Sequence, residues 1–180
     1  MSKVTSTHYS PQELLHLSWS TFPPVTHQCM SLLMRSRSLK DQKNKNISYF
    51  TALRGYKNLY CLIRVNSYAS NYRTYRIIKS ANYFSVIAFD SESRMLSHFS
   101  EHVFIRYCER LKLANLSHQD QLRHFLKHFN DYPPKHAGSD EDGMKLFEQK
   151  MFNGVLYGAV DAVNGISYYR TFYTYKMVHS

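Results

Sequence analysis

Residues 59–65 read LYCLIRV, residues 72–79 read YRTYRIIK and residues 83–89 read YFSVIAF. All three runs are rich in β-branched and aromatic residues, and short polar segments separate them, which is typical of β-strands. They predict a meander of three antiparallel strands. Because side chains alternate along a strand, Arg73 and Arg76 are expected on opposite faces, so only one of them can share a face with a given site.

The segment before the meander is predicted to be helical. Ser10-Pro11-Gln12-Glu13 combines a capping serine, a proline at the first helical position and a glutamate three residues after the cap. A second helix is expected through the apolar residues between Val25 and Met34. Residues 35–45, RSRSLKDQKNK, are polar and basic, and they predict an exposed linker that contacts phosphate.

Two helices are predicted after the meander. The first runs from about His98 to Leu113, is capped by Ser97 or Ser100, and has a broad apolar face. The second begins at Ser117 and carries a core-facing apolar stripe.

The rest of the chain is predicted to end in a hairpin. A short helix is expected around Met144 to Phe147, followed by two strands, 151–163 and 166–178, that flank the hairpin signal Asn164-Gly165. The fold class expected is therefore α+β, with the antiparallel meander and the C-terminal hairpin packed against helices and a helical N-terminus. A chain of 180 residues fits a single domain, 1–180, comprising a helical segment and basic linker (1–45) and an α+β core (46–180).

The charge indicates an anionic partner. The chain has 23 Lys and Arg against 13 Asp and Glu, a net charge of +10, which favours binding to phosphate backbones. Nucleic acid is expected, RNA rather than DNA, with an acidic protein as the alternative. The nucleic-acid contacts are assigned to basic side chains of the linker and the meander: Arg35, Arg37, Lys40, Lys43, Lys45, Arg73 and Arg76.

The expected location is the cytoplasm. No run of about 20 apolar residues could span a bilayer, and residues 1–15 lack the basic and apolar pattern of a signal peptide. Cys29, Cys61 and Cys108 are far apart and lie in apolar segments, so they are interpreted as reduced and buried.

One ridge of the helix after the meander suggests chemistry. His102, Arg106 and Arg110 follow each other at steps of four residues and therefore lie on one side of the helix. An imidazole can exchange a proton near neutral pH, and guanidinium groups can hold a phosphate and stabilise charge during its transfer. The alternative is a solvated helix border on which Glu109 pairs with an arginine.

The segment His102-Val-Phe-Ile-Arg106-Tyr107-Cys-Glu109-Arg110 resembles the H-x3-R-x3-R helix of small bacterial and phage-borne ribonuclease toxins, the group that gathers barnase, colicin and RelE-like folds. Residues 154–158, GVLYG, and 170–173, RTFY, are similar to the last hairpin in several of those families. The resemblance covers about residues 95–178. It implies a metal-independent endoribonuclease without a cofactor, in which Thr171 and Tyr173 assist the ridge.

Two other functions remain open. The first is a non-catalytic phage or plasmid accessory protein whose basic face binds nucleic acid or an acidic partner. The second is a zinc site, for which we consider four histidines: His98, His102, His124 and His128. These histidines form two pairs at four-residue spacing, but such spacings arise by chance in a chain with ten histidines, and no metal site is predicted.

Overall fold

The computed structural model describes residues 9–43, 45–68, 70–79, 83–90, 93, 95–129, 134–141 and 143–178. Its helices are α1 (Pro11–Thr21), α2 (Thr26–Lys43), α3 (Glu101–Leu111), α4 (His118–His128) and α5 (Tyr175–Val178), with a short 3-10 turn at Pro23–Val25. Its strands are β1 (Ile47–Ala52), β2 (Leu59–Val65), β3 (Ser70–Lys79), β4 (Phe84–Asp90), β5 (Leu96–Phe99), β6 (Lys135–Ser139), β7 (Lys145–Met151), β8 (Gly154–Asp161) and β9 (Ile166–Thr174). None of the helices in these ranges has the length and apolar character needed to cross a membrane.

The α+β class is confirmed, but the predicted sheet is wrong. In the described residues nine strands form one mixed sheet in the order β1-β2-β3-β4-β5-β9-β8-β7-β6, instead of a three-stranded meander and a separate hairpin. Neighbours from β1 to β5 are antiparallel, whereas β5 runs parallel to β9. The prediction missed β1, β5 and β6 and assigned β7 to a helix, because periodicity hardly distinguishes helix from strand in runs of four to seven residues.

The chain groups into two compact units. The N-terminal unit comprises Tyr9–Ile78 and Val86–Leu96, and the C-terminal unit comprises Met1–His8, Lys79–Ser85 and Ser97–Ser180.

In the N-terminal unit, α2 packs on β2. The capping box predicted at Ser10 and Glu13 starts α1. The predicted linker is wrong, because α2 continues through most of it to Lys43. This stretch contains no Gly or Pro, and its Lys, Arg and Gln residues are good helix formers. Ser36 extends the buried side of the helix, where its hydroxyl donates to the Leu32 carbonyl.

The C-terminal unit has an aromatic core. Phe99 of β5 stacks on Tyr169 of β9 at 4.3 Å between ring centroids, and Phe125 of α4 contacts Phe104 and Tyr107 of α3. Ser117 caps α4 as predicted. Tyr107 of α3 also meets Phe172 of β9 at 5.0 Å, so α3 covers β9 with its apolar side and its polar side faces away from the core.

The last strands differ in part from the prediction. Residues 145–151 form β7 instead of a helix, and the expected strand 151–163 is divided by a turn at Phe152 and Asn153. The strands β8 and β9 pair antiparallel around Asn164-Gly165, where Gly165 has φ of 66°. Helix α4 ends at His128.

Candidate functional site

Helix α3 lies along β9 because its first turn is bonded to that strand. The Ser100 N–H donates to the Tyr169 carbonyl at 3.1 Å, and the Ser100 hydroxyl donates to the Arg170 carbonyl at 3.3 Å. Ser100, one of the two caps predicted, occupies the N-cap position, and Lys112 in the left-handed conformation ends the helix. The helix therefore begins beside the residue that precedes Thr171.

The far end of α3 is also attached to β9. The Arg110 guanidinium carbon lies 4.6 Å from the centroid of the Tyr173 ring, a cation–π arrangement. Within the described residues, one terminal nitrogen of Arg110 is buried without a hydrogen-bond partner. Two of the five predicted catalytic residues are thus in direct contact.

His102 stands at the other end of the ridge with an exposed side chain. Partial desolvation lowers its pKa below the ordinary value of 6.5, and the positive charges of Arg106 and Arg110 lower it further. The Glu109 carboxylate acts in the opposite direction. At neutral pH the imidazole is therefore neutral and suited to accepting a proton.

Arg106, between them, forms an ion pair with Glu109 at 3.2 Å. This is the contact expected of a merely solvated helix border. Both side chains are about half exposed, and such surface pairs contribute only about 0–1 kcal/mol. A phosphate could therefore displace Glu109 from Arg106 at little cost.

Thr171 and Tyr173 share one face of β9 with Tyr157 of β8. Thr171 is paired with Tyr157 in the antiparallel register, and the rings of Tyr157 and Tyr173 meet edge to face at 5.6 Å. Sequence reasoning missed Tyr157. The run GVLYG carries the resemblance to a hairpin, but the strand pairing that brings this tyrosine to Tyr173 cannot be derived from it.

The histidines considered for zinc do not converge. His98 is buried on β5, not on a helix with His102, so their four-residue spacing does not put them on one face. His124 and His128 are stacked on α4 at 4.7 Å. Within the ranges that the structure describes, no group of three or more His, Cys, Asp or Glu side chains is placed to hold a metal ion.

A polar network behind the ridge was not predicted either. The Tyr107 hydroxyl of α3 lies 3.0 Å from Nδ1 of His124, and Nδ2 of Asn153 donates to the same hydroxyl at 3.4 Å. The Tyr107 side chain is fully buried. The network joins α3, α4 and the β7–β8 turn, so it orients the helix that carries the ridge.

Several of the basic residues assigned to nucleic acid have contacts within the protein. Arg37 donates to Ser70, Arg73 forms an ion pair with Asp90, and the Arg76 guanidinium bonds to the Thr21 hydroxyl. Of the four remaining assigned cations, Lys40 is partly buried and three are exposed: Arg35, Lys43 and Lys45. Arg35 and Arg37 are two residues apart on α2, about 200° around the axis, so the helix does not present one basic stripe.

The positive charge is unequally divided between the two units. The N-terminal unit contains 11 Lys and Arg against 4 Asp and Glu, a net of +7, and the C-terminal unit contains 12 against 9, a net of +3. Most of the attraction for a polyanion therefore arises in the unit that does not contain α3. No family model, curated protein or solved structure matches the chain.

Proposed function

We propose that the protein cleaves RNA without a metal ion, at the site formed by α3 and β9. The observation that carries the proposal is the attachment of α3 to β9 at both ends, through Ser100 and through Arg110 over Tyr173. An imidazole, two guanidinium groups and two hydroxyl-bearing side chains belong to this pair of elements. These groups can move a proton and stabilise a negatively charged phosphorane without a metal.

In the proposed reaction the neutral imidazole of His102 accepts the proton of a ribose 2′-hydroxyl. The 2′-oxygen then bonds to the adjacent phosphorus, and the bond from phosphorus to the 5′-oxygen breaks. The leaving oxygen takes a proton from water, so the products are a 2′,3′-cyclic phosphate and a 5′-hydroxyl. DNA lacks the nucleophile and is not cleaved.

Arg106 and Arg110 hold the phosphate that is attacked. Arg106 exchanges its Glu109 partner for a phosphate oxygen, and the partly exposed Arg110 offers its guanidinium group from over the Tyr173 ring. Thr171 and Tyr173 contribute hydroxyl groups from β9. Because the charge on phosphorus increases in the transition state, removing either arginine is expected to affect kcat more than substrate affinity.

The test is cleavage of a single-stranded RNA oligonucleotide by purified protein in EDTA. His102→Ala and Arg106→Ala are each expected to lower the rate about 100-fold or more, the usual contribution of a positioned acid or base. His136→Ala is the control for an exposed histidine, and Arg123→Ala is the control for Arg106, because Arg123 also pairs with an acid on its own helix. If all four variants cleave like the wild type, the assignment is wrong.

The unequal charge favours a second function, the binding of nucleic acid without turnover through the N-terminal unit. This function predicts that the affinity for nucleic acid decreases steeply with salt concentration. The same affinity should not change in His102→Ala. Charge reversal at Arg35, Lys43 and Lys45 would then reduce binding strongly. Absence of cleavage together with this salt dependence would favour it over the ribonuclease.

A further inference from the structure

Strand β1 lies at one end of the sheet, and within the described residues no strand pairs with its outer side. It is a terminal strand in the sheet order, and its register with β2 shows which groups point outward. The Leu53 N–H donates to the carbonyl of the opposing Leu59, so every second residue back along β1 is bonded to β2. Ser48 and Ala52 fall between these positions, and their amide groups point away from β2.

The edge of β1 lacks the features that usually prevent strand addition. The strand reads ISYFTA and contains no charged residue, proline or glycine. At the opposite end of the sheet order, β6 has Lys135, a bulge between His136 and Gly138, and an irregular glycine with φ of 114°. Charges and bulges of this kind block edge-to-edge pairing, so only β1 of these two strands is left receptive.

Four cations flank this receptive edge. Lys43 and Lys45 precede β1, and Arg54 and Lys57 follow it; all four side chains are exposed, and none forms an ion pair within the described residues. Six strand residues span about 20 Å. The edge therefore offers the outward amide groups of Ser48 and Ala52 between two positive ends.

The charges determine which occupant the edge favours. In an antiparallel pair of two β1 strands, Lys45 of one copy would lie towards Arg54 of the other, and in a parallel pair equivalent lysines would meet. Like charges oppose both arrangements. RNA would match the cations but has no peptide groups to pair with Ser48 and Ala52. A polypeptide with acidic residues at both ends matches both features.

We propose that the edge of β1 binds an extended, acid-ended segment of another protein as an added strand. The main chain of this segment pairs with β1 and supplies affinity, while its acidic ends contact Lys45 and Arg54 and fix its position. This interaction is independent of RNA cleavage.

Two fluorescent peptides test the proposal by anisotropy. The first, Glu-Glu-Thr-Val-Thr-Val-Thr-Glu-Glu, can form a strand. The second replaces each threonine with proline, which keeps the length and charge but removes amide donors. The wild type is expected to bind the first peptide at least about ten-fold more tightly, a difference that the lost backbone bonds can supply.

The matched protein variants are Ser48→Pro and Ala137→Pro. Proline at Ser48 removes an outward amide and leaves the bonds to β2 intact, so it is expected to abolish the preference for the threonine peptide. Ala137 is at the bulge of β6, and its replacement should change nothing. Lys45→Glu with Arg54→Glu should reverse the preference towards a peptide with lysine ends.

Three results would overturn the proposal. Equal binding of the two peptides would mean attraction by charge alone, and unchanged binding by Ser48→Pro would place the peptide elsewhere. A wild-type dimer in light scattering that Ser48→Pro dissociates would identify a second copy as the occupant. Circular dichroism of each variant verifies that it is folded, and loss of RNA cleavage leaves all these expectations unchanged.

Discussion

Replacing Tyr107 with phenylalanine removes one hydroxyl group from the contact between α3 and α4. The ring remains, so its packing against Phe125 and Phe172 at about 5 Å is preserved. The hydroxyl makes two hydrogen bonds, with Nδ1 of His124 and with Nδ2 of Asn153. Burial raises the pKa of Tyr107 to about 12, so the hydroxyl is protonated at every pH used in the assay.

The expected loss follows from these two bonds. A buried hydrogen bond contributes about 1 kcal/mol net, and a donor left without a partner costs about 1–3 kcal/mol. His124 is partly exposed and can bond to water in the variant, whereas the Oδ1 atom of the Asn153 amide is buried. We expect the free energy of unfolding to fall by about 2 kcal/mol, which corresponds to about 4–8 °C in Tm for a chain of this size.

Urea unfolding followed by circular dichroism measures this change. Tyr68→Phe is the control, since the Tyr68 side chain is 98% exposed, and its stability should match the wild type. A Tyr107→Phe protein within about 0.5 kcal/mol of the wild type, the usual range of surface substitutions, would refute the argument that this network holds α3.

Three further changes test other contacts. Arg110→Leu is expected to cost about 1 kcal/mol by removing the cation over Tyr173, as measured by a double-mutant cycle with Tyr173→Leu. Gly158→Ala puts a methyl group against the backbone of the neighbouring strand and should lower stability by about 3 kcal/mol in urea unfolding. The free energy of unfolding should also decrease as the pH falls below about 6.5. Burial is the main cause that lowers the pKa values of His124 and His128 in the folded protein, so the unfolded chain binds protons first as the pH falls. Replacing both with Gln should flatten the dependence of Tm on pH.

The helices could be predicted where capping and an apolar stripe agree. Ser10 with Glu13 marks the start of α1, and Ser117 marks the start of α4. The prediction for the basic segment, residues 35–45, failed because its charge and polarity suggested a loop, although its side chains are good helix formers. The polar composition of this segment indicates that its side chains are exposed to solvent. Exposed side chains occur both in loops and on the outer side of helices, so they do not distinguish the two.

The prediction of β7 failed for a different reason. Its buried residues alternate as Phe147, Gln149 and Met151, but a glutamine in the core hides the period of two from a hydrophobicity pattern. The Gln149 side chain is buried because its oxygen accepts a bond from the Tyr169 hydroxyl at 2.7 Å. The burial of Gln149 therefore depends on β9, which is distant in the sequence, and no local pattern predicts it.

The site was predictable along α3 but not across the sheet. The spacing of His102, Arg106 and Arg110 predicts one ridge, and α3 contains all three residues. The contact of Arg110 with Tyr173 depends on the parallel placement of β5 beside β9, and no local pattern encodes that long-range pairing. The position of Tyr157 could not be predicted either, because this residue lies opposite Thr171 only through the pairing of β8 with β9.

The chemical ends left on the RNA test the proposed mechanism most directly. Purified protein in EDTA is mixed with a defined single-stranded RNA, and the products are analysed by mass spectrometry. The mechanism predicts fragments with 2′,3′-cyclic phosphate and 5′-hydroxyl ends, formed by the wild type about 100-fold or more faster than by His102→Ala. Intact RNA, or cleavage that leaves a 3′-hydroxyl and a 5′-phosphate at the cut itself, would contradict it.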